Sequence, residues 1–137
     1  ITFHNYTTLP SISFPTITES HAININTNEA LTTVDFPALT SANGFEVAYN
    51  TALTSFSFDQ LTTIGWLIVV ENPVLELFSH SALSEVYLEQ YNPNYSGYGW
   101  GNYYHNITIY NNPMLYVDEA FYNSIAAYGT VFWGNLE

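Results

Sequence analysis

Apolar residues recur along this chain at a fixed interval. Leu9, Leu31, Leu53 and Leu75 stand 22 residues apart, and the next leucine of the series, Leu115, follows after 40. Each turn reads Leu-x-x-φ-x-Phe-x-x-Leu-Thr-x-φ-x-x-φ-x-φ-x-x-Asn, with φ apolar. The fourth-position column is Ile12, Val34, Phe56, Phe78; the sixth is Phe14, Phe36, Phe58, His80; the ninth is Ile17, Leu39, Leu61, Leu83. A φ-x-φ segment follows in each turn, as Ile23/Ile25, Phe45/Val47, Leu67/Val69 and Ile107/Ile109.

Period-two alternation in two short segments per turn predicts two β-strands per coil, stacked in parallel on the next coil at about 4.8 Å. The expected fold is all-β: a right-handed parallel β-solenoid of about five turns, one domain over residues 1–137, forming a rod about 24 Å long. Asn28, Asn50, Asn72 and Asn112 close the turns. A buried Asn at one position per turn would bond the backbone of its own and the adjacent turn where the chain bends, so this column reads as scaffold. The column Thr18, Thr40, Thr62, Ser84 is expected to bond along the stack in the same way.

The long interval before Leu115 implies an insertion of 18 residues in the fourth turn, between Leu88 and Asn106 (about 89–105). A regular array accepts extra residues mainly on a surface loop. This one carries Tyr95, Tyr98, Trp100, Tyr103 and Tyr104 among Gly and Asn, in the manner of a paratope. Such aromatics stack on sugar rings or fill a partner's pocket at small entropic cost. In turn three the outward column of the φ-x-φ strand is Trp66, Ile68 and Val70, with Tyr110 beside it in the next turn. The expected ligand-binding residues are therefore Trp66, Tyr95, Tyr98, Trp100, Tyr103, Tyr104 and Tyr110, as one site.

Composition narrows the chemistry. There is no Lys or Arg against 12 acidic residues, a net charge of −12, so phosphate backbones and anionic headgroups are poor partners. Arg clamps, phosphate-binding Lys and Schiff-base chemistry are unavailable. No cysteine occurs, which excludes disulfides, thiolate catalysis and zinc–thiolate sites. No run of 18 apolar residues or signal-like segment is present, and the expectation is a mature or excised piece with no membrane insertion. The 15 Asn and 26 Ser plus Thr give a polar, uncharged bias read as extracellular or cell-surface. Asn5, Asn94 and Asn106 sit in Asn-x-Ser/Thr sequons and are candidate glycosylation sites, at a number expected from composition.

The run Phe45-Glu-Val47-Ala-Tyr-Asn50-Thr-Ala-Leu53 resembles leucine-rich repeats. The short turn with a second strand, Leu31-Thr-Thr-Val34-Asp-Phe36-Pro-Ala-Leu39-Thr40, is similar to the receptor L-domain and related surface-protein solenoids. The resemblance runs from Leu9 to Asn135 and implies a non-enzymatic binding or cell-surface role. No Cys-rich caps flank the array, and the turn from Leu115 is irregular, with Asp118 in an apolar column.

Enzyme readings are weak. Glu85/Glu89 and Asp118/Glu119 are carboxylate pairs of the kind glycosidases use, but in an acidic chain they read as solvated surface. His80 stands in a Phe column, and His4, His21 and His105 have no metal spacing. No cofactor is expected; acidic loops leave room for Ca²⁺, although no Asp-x-Asp-x-Asp series appears. The first strand's outward columns, Ser11, Thr33, Ser55, Leu77 and Ser13, Asp35, Ser57, Ser79, form a hydroxyl array similar to ice-binding faces, broken by Asp35 and Leu77. The leading expectation is a non-enzymatic extracellular, adhesive module binding a carbohydrate or protein. The alternative is a subunit that stacks on copies of itself, end to end, into a filament.

Overall fold

The computed structural model describes residues 1–79, 85–86, 107–116, 123 and 130–133. The strands in chain order are β1 (Thr2–His4), β2 (Ser11–Ser13), β3 (Glu19–Asn26), β4 (Thr33–Asp35), β5 (Ser41–Ala48), β6 (Ser55–Ser57), β7 (Thr63–Val70), β8 (Leu77–Ser79), β9 (Glu85–Val86), β10 (Ile107–Tyr110) and β11 (Thr130–Trp133). They form two parallel sheets. The long sheet runs β1-β3-β5-β7-β10-β11 with β9 also on β7, and the short sheet runs β2-β4-β6-β8. The architecture is a parallel β-solenoid of about three regular turns, each contributing one strand to each sheet. His80, the insertion about 89–105 and Asp118 lie outside the described residues.

The register is the repeat made visible. Phe45 faces Ile23 and Leu67 faces Phe45, each offset by 22, as Val34 faces Ile12 and Phe56 faces Val34 in the short sheet. Of the two neighbours on the far edge of β7, one keeps this offset and the other breaks it. Thr63 pairs with Glu85 (85 − 63 = 22), whereas Leu67 pairs with Ile107 (107 − 67 = 40). The offset changes by 18 within four residues of one strand. Between β10 and β11 it becomes 23, with Ile107 on Thr130.

The inward residues of both sheets meet in one core. Leu31, Leu53, Leu75 and Leu115 are fully buried at one corner, and Phe36, Phe45, Phe56 and Phe58 fill the middle. Phe45 touches three rings, at centroid distances of 5.3 Å to Phe36, 5.1 Å to Phe56 and 5.6 Å to Phe58. Edge-on and tilted pairs of this kind contribute about 0.5–1.5 kcal/mol each beyond burial. At the first turn the cover thins, and Phe3, Leu9, Phe14 and Ile17 are only partly buried.

The long strands are not straight. Pairing passes from Ala42↔Ile64 to Gly44↔Trp66, skipping Asn43 and Gly65, and in the preceding turn from Ser20↔Ala42 to Ala22↔Gly44, skipping His21. Inward residues before and after the skip, Ala42 and Phe45, are three apart rather than two. Each strand therefore bends there and carries the chain round a corner.

Two side-chain systems tie turn to turn. Asn28, Asn50, Asn72 and Asn112 are fully buried. The amide of Asn28 donates to Asn50 Oδ1 at 3.0 Å, that of Asn50 to Asn72 Oδ1 at 3.1 Å, and that of Asn72 to Asn112 Oδ1 at 3.0 Å. Each amide also reaches back to a carbonyl of the turn before, as Asn50 to Ile25 O at 2.9 Å. The Thr40 and Thr62 hydroxyls donate to Thr18 O and Thr40 O at 2.9 and 3.0 Å. A parallel threonine pair at the other corner, Thr32 to Pro10 O and Thr54 to Thr32 O, has the same geometry and was not anticipated from the pattern.

The residue before each buried Asn adopts a left-handed backbone: Thr27 at φ 58°, Tyr49 at 58°, Glu71 at 56° and Asn111 at 52°. The N–H groups of Thr27, Tyr49 and Glu71 bond the next turn, Thr27 to Ala48 O at 3.0 Å, so stacking enforces the conformation there. For a β-branched residue this conformation costs about 1–2 kcal/mol, which glycine avoids at about half that cost in chain entropy. Thr27→Gly is expected to raise the thermal midpoint by about 3 °C, read by circular dichroism; a lower midpoint would show that Thr27 is not strained.

Candidate binding face

Alternation along the long sheet sends three columns outward: Ala22, Gly44, Trp66; Thr2, Asn24, Glu46, Ile68, Thr108; and His4, Asn26, Ala48, Val70, Tyr110. Trp66 and Ile68 are partly exposed, as the pattern of turn three implied. Val70 is not: it is 5% exposed, and Ala48 beside it 1%. The expected open patch of three apolar residues is therefore smaller, because facing outward from a sheet does not ensure contact with water.

Trp66 does not stand free of the sheet. A Cβ at Gly44 would overlap the Trp66 indole at Cε2, Cζ2 and Nε1. The ring leans from β7 across to β5 and lies as a platform on the bare backbone of Gly44.

Two residues along β5 from Gly44 is Glu46, in register with Asn24 on one side and Ile68 on the other. Burial pushes its carboxyl above the ordinary value, and a hydrogen bond donated by the Asn26 side chain offsets part of this. With its amide turned to Glu46, Asn26 leaves its Oδ1 buried and without a hydrogen-bond partner. These residues occupy the x positions of φ-x-φ, where sequence reasoning followed only the apolar turn. The signal that would have found them is the same column read across all turns.

A carboxyl raised in the folded state favours folding when protonated. That contribution is complete below the unfolded value near 4.5 and is lost as pH rises through the folded one. Glu46→Gln is thus expected to raise the thermal midpoint at pH 7 and to leave it unchanged below pH 4.5. A drop at pH 7 would mean that the charged carboxylate stabilises the fold.

Of the other candidates, Tyr110 lies on β10, partly exposed, paired with Val70. Tyr95, Tyr98, Trp100, Tyr103 and Tyr104, the sequons at Asn94 and Asn106, and Glu89, His105 and Glu119 fall outside the described residues. Asn5 is exposed with φ 64°. His21 meets Asn43 across the turn at 2.8 Å, and His4 is exposed. On the hydroxyl array, Ser57 donates to Asp35 at 2.6 Å, so part of that face bonds to itself. Among the described residues there is no group of three or more His, Asp or Glu able to hold a metal ion, and no helix long and apolar enough to cross a membrane.

No family model, curated protein or solved structure matches this chain.

Proposed function

We propose that this chain is a non-enzymatic extracellular module, of cell-surface or adhesive type, that binds a carbohydrate or protein through an aromatic insertion set beside Trp66. In this reading the solenoid has about five turns and the fourth carries the 18 extra residues. The supporting observation is the change of register on β7. Val86 pairs with Ile64, and Ile107 pairs with Leu67 three residues further along β7. Val86 and Ile107, the described residues that bracket the insertion in sequence, thus stand on either side of the position level with Trp66. In this reading Trp66 lies between the two roots of a Tyr- and Trp-rich loop, which makes it a sound base for a binding site. The resemblance to leucine-rich repeats and receptor L-domains is in keeping with this role.

The test is binding to a glycan array and to cell surfaces by wild type and by Tyr98→Ala/Trp100→Ala. Loss of binding with an unchanged thermal midpoint is expected; full binding by the variant would remove the loop from the site.

The first turn favours a second reading, end-to-end assembly. Phe3, Leu9, Phe14 and Ile17 are incompletely covered there, and Ile1 and Tyr6 are 39% and 50% exposed. A further coil stacked on this end would bury them. Sedimentation across a hundredfold concentration range separates the two: growing oligomers favour assembly, and a constant monomer excludes it.

A further inference from the structure

Resting on the reading of this face as a binding surface, we infer that Trp66, Glu46, Asn24 and Asn26 form a subsite for one neutral pyranose ring, separate from the aromatic insertion.

The geometry is that of a platform with polar groups along one side. The Trp66 indole lies flat on Gly44, and Glu46 follows two residues along the same strand, about 6.6 Å away. Asn24 stands in register with Glu46 one strand over, at about 4.8 Å, and Asn26 is the diagonal neighbour two residues further on, about 8 Å away along the backbone, close enough for its side chain to reach the carboxylate. The span from ring to carboxylate is comparable with the width of a sugar ring, whose axial C–H face packs on an aromatic plane while equatorial hydroxyls point sideways.

The polar groups specify what they lack. The Glu46 carboxylate receives the Asn26 amide and has further acceptor capacity; Asn26 Oδ1 is buried with no donor. The site is therefore short of donors, and a chain without Lys or Arg cannot supply charged ones. Sugar hydroxyls are neutral donors that would satisfy the Glu46 carboxylate, which the Asn26 amide holds from the side, while the Asn24 amide offers a donor in return. Anionic ligands are opposed by the net charge of −12 and by the absence of any cation to pair them. A cationic ligand fits less well, since Glu46 is the one carboxyl in these columns and its surroundings disfavour charge.

The test uses the full chain and three neutral disaccharides, cellobiose, maltose and chitobiose, with affinity read by ligand-observed NMR titration. At least one is expected to bind wild type. Glu46→Gln should weaken it about tenfold while leaving the chain at least as stable at pH 7, so that the loss is not unfolding. Trp66→Leu, which keeps Gly44 covered but removes the aromatic face, should weaken it by a similar factor. Thr33→Ala, an exposed change on β4 of the other sheet, should leave it unchanged. Binding that survives Glu46→Gln and Trp66→Leu but is lost in Trp100→Ala overturns the subsite and leaves the loop reading standing. No binding by any disaccharide, or tighter binding of tetramethylammonium than of a sugar, also overturns it, whereas the loop reading is then decided by its own cell-surface assay.

Discussion

Asn50→Asp is expected to abolish cooperative folding at neutral pH and to restore much of it in acid. Asn50 is fully buried, midway along the asparagine ladder. Its Oδ1 accepts from the Asn28 backbone N–H at 3.1 Å and side-chain amide at 3.0 Å. Its own amide donates to Ile25 O at 2.9 Å and Asn72 Oδ1 at 3.1 Å. Asp keeps the acceptor and loses both donors. The second carboxylate oxygen is then held against two acceptor oxygens in a core without a cation. Leaving a buried charge uncompensated costs about 3–5 kcal/mol, and two stranded acceptors add about 1–3 kcal/mol each. Together these rival the whole stability of a domain this size, about 5–15 kcal/mol.

Protonation removes the charge and returns one O–H donor. The folded-state value of this Asp is therefore raised, and its contribution to folding is present below the unfolded value, about 3.9, and lost as pH rises. Thermal melts at pH 3 and pH 7 check this, with Asn5→Asp as the control: the same change at an exposed position, in a backbone conformation that Asp also tolerates, is expected to cost under 0.5 kcal/mol. If Asn50→Asp melts within 2 °C of wild type at pH 7, the ladder is not a source of stability.

The interior of this solenoid was open to reading from sequence because burial is periodic. Ile23, Phe45 and Leu67 occupy one column in sequence and one row in space, since a register offset of 22 makes the repeat and the hydrogen-bond ladder the same thing. The asparagines were legible for a related reason: few side chains can donate to one turn and accept from another at a buried bend. Surface contacts follow no such rule. That Trp66 would lie on Gly44 depends on the pairing of one small and one large residue across two turns, and nothing in either turn alone marks it. Val70 was misjudged because alternation gives the direction of a side chain and not what covers it.

The left-handed column marks residue choice only at its ends, where Asn5 and Asn111 are the type that tolerates this conformation. Thr27, Tyr49 and Glu71 share a backbone conformation and no chemistry. The requirement comes from the neighbouring coil, through bonds such as Tyr49 N–H to Val70 O at 3.2 Å, and a local propensity argument cannot see it. The insertion is the converse case, rich in residue-type signal and without a period to place it. The register of β7 brackets it in sequence between Val86 and Ile107, and its aromatic residues are known by composition alone.

Gly65→Ala should be far more damaging than Gly44→Ala, although both replace a glycine by the smallest side chain at neighbouring positions of adjacent turns. At Gly65 the added Cβ would overlap the backbone carbonyl oxygen of Asn43. Neither group can turn aside. Asn43 and Gly65 sit at the bend, and the pairs on either side, Ala42↔Ile64 and Gly44↔Trp66, fix both backbones. Relief requires the two strands to separate, weakening these pairs and disturbing Ile64 and Phe45, which are fully buried beside the bend. A cost of about 3 kcal/mol is expected, a drop of about 10 °C in the thermal midpoint. At Gly44 the obstacle is the Trp66 indole, a side chain that can rotate outward, so the cost should be about 1 kcal/mol and the main effect a displaced ring. Gly44→Ala is then expected to red-shift tryptophan emission and weaken disaccharide binding in a chain that still folds. Equal midpoints for the two variants would mean that the strands give way at the bend as easily as Trp66 does. The corner would then be a soft joint between two arms of the long strand and not a rigid seat for the platform beside it.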